Sequence, residues 1–386
     1  MMLPILSLAD RDNRLIGELP YTDLDVVWTW NQVGTGSVIV PELHPLFGQI
    51  AALTDEVVLA RVDHRRPWTG RVTEMDLQLD RNRGSWQMEL TLVDDWIWLK
   101  ALLARQNPLG TLNQQGYAEF DTRTGPAETV IKAILADIVV RTGVPIVIAP
   151  APDPDPSPIV TIKARMDTVA ELIEDALAAA NLGLTVTTLG PGDEPPPTLA
   201  DSGVAPGTVI VDAVPMRVQP WLLWDEAELV KGNLTFTAPT AHTATIGGTG
   251  DGVNKQYTQL RDDDLAASLG KYGLPEIYVD AGTSDPVAKG AATLAGVRGG
   301  ITANFTVEDA MPWSAWDDYQ LGDLAGGQVA GIDWRSPISQ IKLAASDNGE
   351  VGYTPRIGAP TPPPEAVVVQ AVRKLAANVA AERRRR

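Results

Sequence analysis

Two runs of strict alternation, joined by a polar turn, constrain this chain more than any other feature. In Met75-Asp76-Leu77-Gln78-Leu79-Asp80 the apolar side chains fall on odd positions. In Trp86-Gln87-Met88-Glu89-Leu90-Thr91-Leu92 they fall on even ones. A period of two places each apolar set on one side of a strand, so each run has a buried and a wet face. Asp80-Arg81-Asn82-Arg83-Gly84-Ser85 supplies turn chemistry between them, and the whole predicts a β-hairpin. Earlier strands are expected over 24–30, 37–40 and 57–62, and a short helix over 94–103 carrying Trp96, Trp98 and Leu99. Many short strands with tight turns predict a barrel-like β module over 1–103.

The period then changes. Val130, Ile131, Ile134, Leu135, Ile138 and Val139 recur at helical spacing, with Pro126 placed to open the helix and Gly143 to end it. Thr168-Val169-Ala170-Glu171 reads as a capping box for a second helix striped by Val169, Leu172, Ile173, Ala176, Leu177 and Ala180, with Gly183 expected to end it. Residues 104–207 are therefore an α/β module of two helices, with a Pro-rich bridge at 150–158. Strand signals return over 208–217, 228–236, 242–246, 300–307 and 328–343, and helices are expected over 265–272 and 286–296. Residues 208–360 form a second β-rich module with a small inserted α/β part. A Pro-rich spacer at 360–364 leads to a final helix with Val368, Val372, Leu375 and Val379 on one side. This region, 361–386, ends in Arg383–Arg386 and is expected to meet a partner or stay mobile. The fold class is α+β and β-rich: barrel-like β modules alternating with small α/β modules.

The 386 residues carry no cysteine, which removes disulfides, thiol nucleophiles and iron–sulfur ligation. The net charge of −18 disfavours a grip on duplex DNA or anionic membrane. No basic leader and no apolar run of ~20 residues is visible, so the chain is expected to be soluble, with no membrane insertion.

No constellation makes an active site. Gly247-Gly248-Thr249-Gly250-Asp251-Gly252 lacks the following Lys and helix of a phosphate loop and reads as a β-turn. Prolines in Asp153-Pro154-Asp155-Pro156 block calcium-loop geometry. The pairs Asp94-Asp95 and Asp317-Asp318 and the triplet Asp262-Asp263-Asp264 offer carboxylates without the spacing a glycosidase needs. His64 reads as a loop residue and His44 as a structural one, and no Gly-x-Ser-x-Gly elbow is present. The eleven tryptophans are spread over the chain, which favours core and subunit-interface roles over a sugar platform. The expectation is no enzyme, no cofactor and no metal.

Several segments, in order, resemble the tail-hub (baseplate-hub) minor tail proteins of long-tailed (siphovirus) bacteriophages, particularly of actinobacterial hosts. They are Pro67-Trp68-Thr69-Gly70-Arg71-Val72 with Val93-Asp94-Asp95-Trp96, and Ala179-Ala180-Asn181-Leu182-Gly183-Leu184. Thr237-Ala238-Pro239-Thr240 running into Thr245-Ile246-Gly247-Gly248-Thr249-Gly250 follows, then Leu321-Gly322-Asp323-Leu324 and Pro355-Arg356-Ile357-Gly358. Gln256-Tyr257 departs from the pattern where an Arg is expected, and no appended peptidase or lysozyme domain is visible.

The resemblance implies a structural virion protein made in the host cytoplasm and placed at the distal end of the phage tail. It implies a homotrimer that closes the tail tube. Its neighbours would be the distal tail or tail-tube protein, the tape-measure protein and other minor tail proteins, with DNA met only in transit through the lumen. An acidic lumen would repel that DNA. The interface candidates are Trp313, Trp316, Val368, Val372, Leu375 and Val379. A host-surface carbohydrate-binding tail protein and a cell-wall hydrolase remain the alternatives.

Overall fold

The alternating runs form the expected hairpin, longer than the pattern alone marks. Trp68–Asp80 pairs with Ser85–Asp94 in the register Met75 to Leu90, Leu77 to Met88 and Leu79 to Trp86. A bulge between Val72 and Glu74 shifts the register, as an extra residue in one strand must. In this computed structural model, residues 3–42, 46–52, 56–80, 85–200, 202–250, 252–273, 275–281, 286–307 and 313–358 are described. His44 and the stripe of Val368, Val372, Leu375 and Val379 lie outside them.

The hairpin belongs to a 13-stranded sheet drawn from both ends of the chain. From one edge the order is Leu229–Thr237, Gly300–Val307, Val351–Ile357, Ile332–Ser346, Asp23–Thr29, Thr35–Pro41, Ser85–Asp94, Trp68–Asp80, Leu59–Asp63, Ile5–Ala9 and Leu15–Leu19. Val218–Trp224 runs parallel to Leu324–Val329, which joins the sheet through the first half of Ile332–Ser346. The second half of that strand lies between Val351–Ile357 and Asp23–Thr29. The N- and C-terminal β regions thus meet along one ladder, Thr29 to Gln340 through Asp23 to Ser346. Their apolar side chains share one core, from Leu6, Val26 and Leu90 to Trp224, Ile341 and Tyr353.

The expected strand region over 328–343 is two strands. Ala330 and Gly331 turn between them with φ of 52° and 79°, the double left-handed geometry that suits a tight hairpin. Alanine is not a residue such turns select, so this turn leaves little trace in the sequence.

The middle module is inserted in this sheet. Helices Ala127–Thr142 and Val169–Ala180 pack against strands Ile146–Ile148, Val209–Pro215 and Leu182–Thr188, in that spatial order, around a second core. Gly143 ends the first helix in the left-handed region, as expected, and the Thr168 hydroxyl accepts from the Glu171 amide at the start of the second. The second helix ends at Asn181, φ 51°, ahead of the expected Gly183. Asparagine tolerates that conformation, and Gly183 is used for something else. The Pro-rich bridge is not idle: the Asp155 carboxylate accepts from the Thr129 amide and hydroxyl and from the Ser157 amide. Burial pushes that carboxyl up, but these donors outweigh it and hold the pKa at about 2.

A second insertion sits between the paired strands Leu229–Thr237 and Gly300–Val307. Three strands, in the order Tyr257–Arg261, Thr243–Gly247 and Glu276–Asp280, lie against helix Pro286–Val297. Their core of Ala244, Ile246, Ala281 and Leu294 is separate from the others. Among the described residues no helix is long and apolar enough to cross a membrane.

Candidate functional site

Of the segments that carry the phage-tail resemblance, those at 67–72 with 93–96, 179–184 and 321–324 meet where the middle module meets the large sheet. Trp30 follows strand Asp23–Thr29, and its six-membered ring edge lies against two glycines far apart in sequence. A Cβ on Gly183 would stand 2.2 Å from that ring, and one on Gly322 would stand 2.3 Å from it. Only a residue without a side chain admits this approach. Asn31, held at φ 55°, donates to the Leu182 carbonyl at 2.9 Å and accepts from the Leu184 amide at 3.0 Å. One side chain thereby takes the place of a neighbouring strand and fastens the module's first strand after its helices.

A second fastening is made by Asp95, which is 1% exposed. Its carboxylate accepts from the Thr69 hydroxyl at 2.5 Å, the Thr188 amide at 2.8 Å and the Thr188 hydroxyl at 2.7 Å. A third is Asp323, also 1% exposed. It receives Arg217 in a two-pronged contact of 2.7 and 2.6 Å and the Gln320 amide at 2.9 Å. Arg61 links Asp63 to Asp193, tying the sheet to the module's loop between Leu182–Thr188 and Val209–Pro215.

Between these fastenings is a cleft of about 110 Å³, walled by Trp28, Trp30, Arg66, Asp94, Trp316 and Gln320 among others. Trp28 and Trp316 meet edge to face at 5.1 Å, and the Arg66 guanidinium lies 5.4 Å from the Trp316 ring centre. Burial pushes the Asp94 carboxyl up to about 8, against the lowering effect of hydrogen bonds from the Gly34 and Trp96 amides. The cleft holds no nucleophile–base pair. What the arrangement does is mechanical: glycine contacts and buried carboxylates fix one module on another.

The remaining sequence candidates are dispersed. His64 Nδ1 is 2.6 Å from the Tyr353 hydroxyl, and His242 Nδ1 is 2.9 Å from the Thr243 hydroxyl. Gly250, at φ 97°, belongs to the turn between Thr243–Gly247 and Tyr257–Arg261, in which the described helix is the single 3-10 turn Gly252–Asn254, too short to present a phosphate site. Asp262 caps helix Asp263–Leu269 by accepting from the Leu265 amide. Asp318 accepts from the Ser314 amide, and Asp317 lies 3.7 Å from Arg65. Among the described residues, no three His, Asp or Glu side chains gather as a metal site. Trp316 is turned into the cleft. Trp313 packs against Trp221 with ring centres 4.9 Å apart and planes tilted by 52°, and donates its indole N–H to the Leu223 carbonyl. Sequence reasoning missed Trp30, Asn31, Thr188 and Arg217 as a set, because no spacing signals a contact across more than a hundred residues.

Among the described residues three apolar surfaces are open. Leu77, Leu79 and Trp86 extend the inner face of the long hairpin past the core. Val218, Trp221 and Leu223 are exposed on a strand paired on one side. Phe236 and Ile301 oppose each other on the outermost ribbon of the sheet.

The fold is that of phage tail proteins. A tail protein from Neisseria meningitidis MC58 superposes with a TM-score of 0.54 at 14% identity, covering 93% of this chain and 97% of that one. The prophage tail protein gp18 from Listeria monocytogenes EGD-e gives 0.54 at 11% identity, covering 96% and 99%. The 43 kDa tail protein of prophage MuSo2 from Shewanella oneidensis gives 0.52 at 13% identity, covering 92% and 98%. No curated protein matches the sequence. The model of the siphovirus ReqiPepy6 Gp37-like proteins matches residues 5–359, and the chain belongs to that family.

Proposed function

We propose that the protein is a structural component of a siphovirus tail, a homotrimeric hub that closes the distal end of the tail tube and connects it to tail-tip proteins. The observation that carries this reading is the joint. Residues that resemble tail-hub segments are spent on locking modules together, in a family of siphovirus proteins with a tail-protein fold. A rigid multi-module block suits a connector, and no catalysis is needed for that role. The proposed neighbours are the distal tail or tail-tube protein, the tape-measure protein and other minor tail proteins. DNA would meet the chain only while passing through the ring.

The tilted pair of Trp221 and Trp313, beside the edge of Val218–Trp224 that no described strand covers, is the proposed contact between subunits. Aromatic anchors of this kind commonly dominate interfaces. Light scattering on the purified protein should give about 124 kDa, three times the 41.3 kDa chain. Trp221→Ser with Trp313→Ser should lower that mass to about one chain while the strand signal of far-ultraviolet circular dichroism shows the chain still folded. A wild-type protein that stays monomeric even when mixed with tail-tube protein would refute the hub. A trimer indifferent to the double substitution would refute this contact.

A further inference from the structure

Helix Ala127–Thr142 ends against a loop where two arginines meet without an acid between them. Arg141, in the last turn, donates through both Nη groups, to the Pro108 carbonyl at 3.0 Å and to the Leu103 carbonyl at 2.6 Å. These carbonyls flank Arg105 and Gln106, so the Arg141 guanidinium lies against their stretch of backbone. The loop is held firmly beneath it. Gln115 is 5% exposed, and its side-chain amide accepts from the Asn107 amide and donates to the Asn107, Gly110 and Thr111 carbonyls.

Among the described residues, Nε of Arg105, Nε of Arg141 and Oε1 of Gln106 are buried with no hydrogen-bond partner. Burial pushes the Arg141 guanidinium down from its ordinary value, the Arg105 charge pushes it the same way, and no carboxylate offsets them. In a chain of net charge −18, where acids are in excess, a neighbouring pair of arginines left without one is the exception. Like charges repel more strongly away from water, and a buried donor without an acceptor costs free energy. One group relieves both conditions. An oxyanion between two guanidinium groups neutralises them and accepts charge-assisted hydrogen bonds, for which the planar fork of arginine is shaped. Turning the Gln106 amide over would add its N–H to the same donors.

We propose that Arg105 and Arg141 hold one oxyanion, a carboxylate or phosphate group, between their guanidinium groups. Bound there, it fastens the loop over 103–115 to the end of the helix. A rigid loop loses little freedom on binding, which favours affinity. The acceptor chemistry is shared by a free phosphate ion and by an acidic side chain of a neighbouring protein. The site does not depend on the hub reading, since both arginines belong to the middle module of one chain.

The test uses the full chain and two probes, inorganic phosphate and N-acetylglutamate, each exchanged for chloride at constant ionic strength. Phosphorus-31 line widths report phosphate binding directly on the unaltered protein. Hydrogen exchange over 103–110 should slow and level off as a probe is added. Arg105→Gln should weaken the apparent affinity about tenfold or more, and Arg105→Lys, which keeps the charge without the fork, should fall between. A response to phosphate alone assigns a free ion, and a response to N-acetylglutamate assigns an acidic side chain; either upholds the site. No saturable response to either probe would overturn the proposal, and so would a response that Arg105→Gln leaves unchanged.

Discussion

At the residue scale the molecule turns on Trp30. Gly183→Ala would bring a methyl group to 2.2 Å from its ring, and the resulting overpacking should cost about 1–3 kcal/mol in chemical denaturation. Adding Trp30→Phe should recover part of that loss, so that the double variant costs less than the two single changes together. Strict additivity would remove the ring as the cause. Asp94 makes a prediction in pH. Its carboxyl keeps its proton to about pH 8 in the folded chain but loses it near 4 when unfolded. The folded state therefore binds the extra proton between these values. The contribution to stability is full below pH 4, falls as pH rises and is gone above about 8. Urea midpoints measured at pH 5 and pH 9 should show this fall, at most a few kcal/mol, in the unaltered protein. Asp94→Asn should flatten it; an equal fall in the variant would place the titration elsewhere. Thr69, Asp95, Gly183 and Gly322 all lie in segments singled out by resemblance. What each touches was not legible, because Asn31 reaches Leu182 across 151 positions and local patterns carry no such information.

At the scale of elements, legibility follows how local the cause is. The hairpin over 68–94 and both helices of the middle module were readable because alternation, apolar stripes and caps are written within a dozen residues. The strands Ile5–Ala9, Leu15–Leu19 and Val218–Trp224 were not foreseen, since each is short and draws its place from neighbours remote in sequence. The inserted unit between 237 and 300 is the clearest case of an element with its own cause. Thr237 pairs with Gly300 at its base, and its core is separate from that of the large sheet. Replacing residues 238–299 by Asn-Gly should leave Leu229–Thr237 and Gly300–Val307 as an ordinary hairpin. The shortened protein should remain soluble and unfold in a single transition with the strand signal of far-ultraviolet circular dichroism retained. Loss of soluble protein would mean that the insertion supports the sheet after all.

At the scale of the whole molecule, the β-rich α+β class was evident from the alternation of periods along the chain, whereas the joining of its two β regions into one sheet was not. That joining depends on Ile332–Ser346, which the residue pattern marks only as strand and which is bordered on different sides along its two halves. The ladder from Gln340 to Ser346 against Thr29 to Asp23 has a consequence under load. A pull along the strands, applied to opposite ends of the molecule, would stress its backbone hydrogen bonds in shear, all together, instead of opening them one by one like a zipper. Such a seam yields only when many bonds fail at once, which is the property wanted in a part that must transmit tension without lengthening.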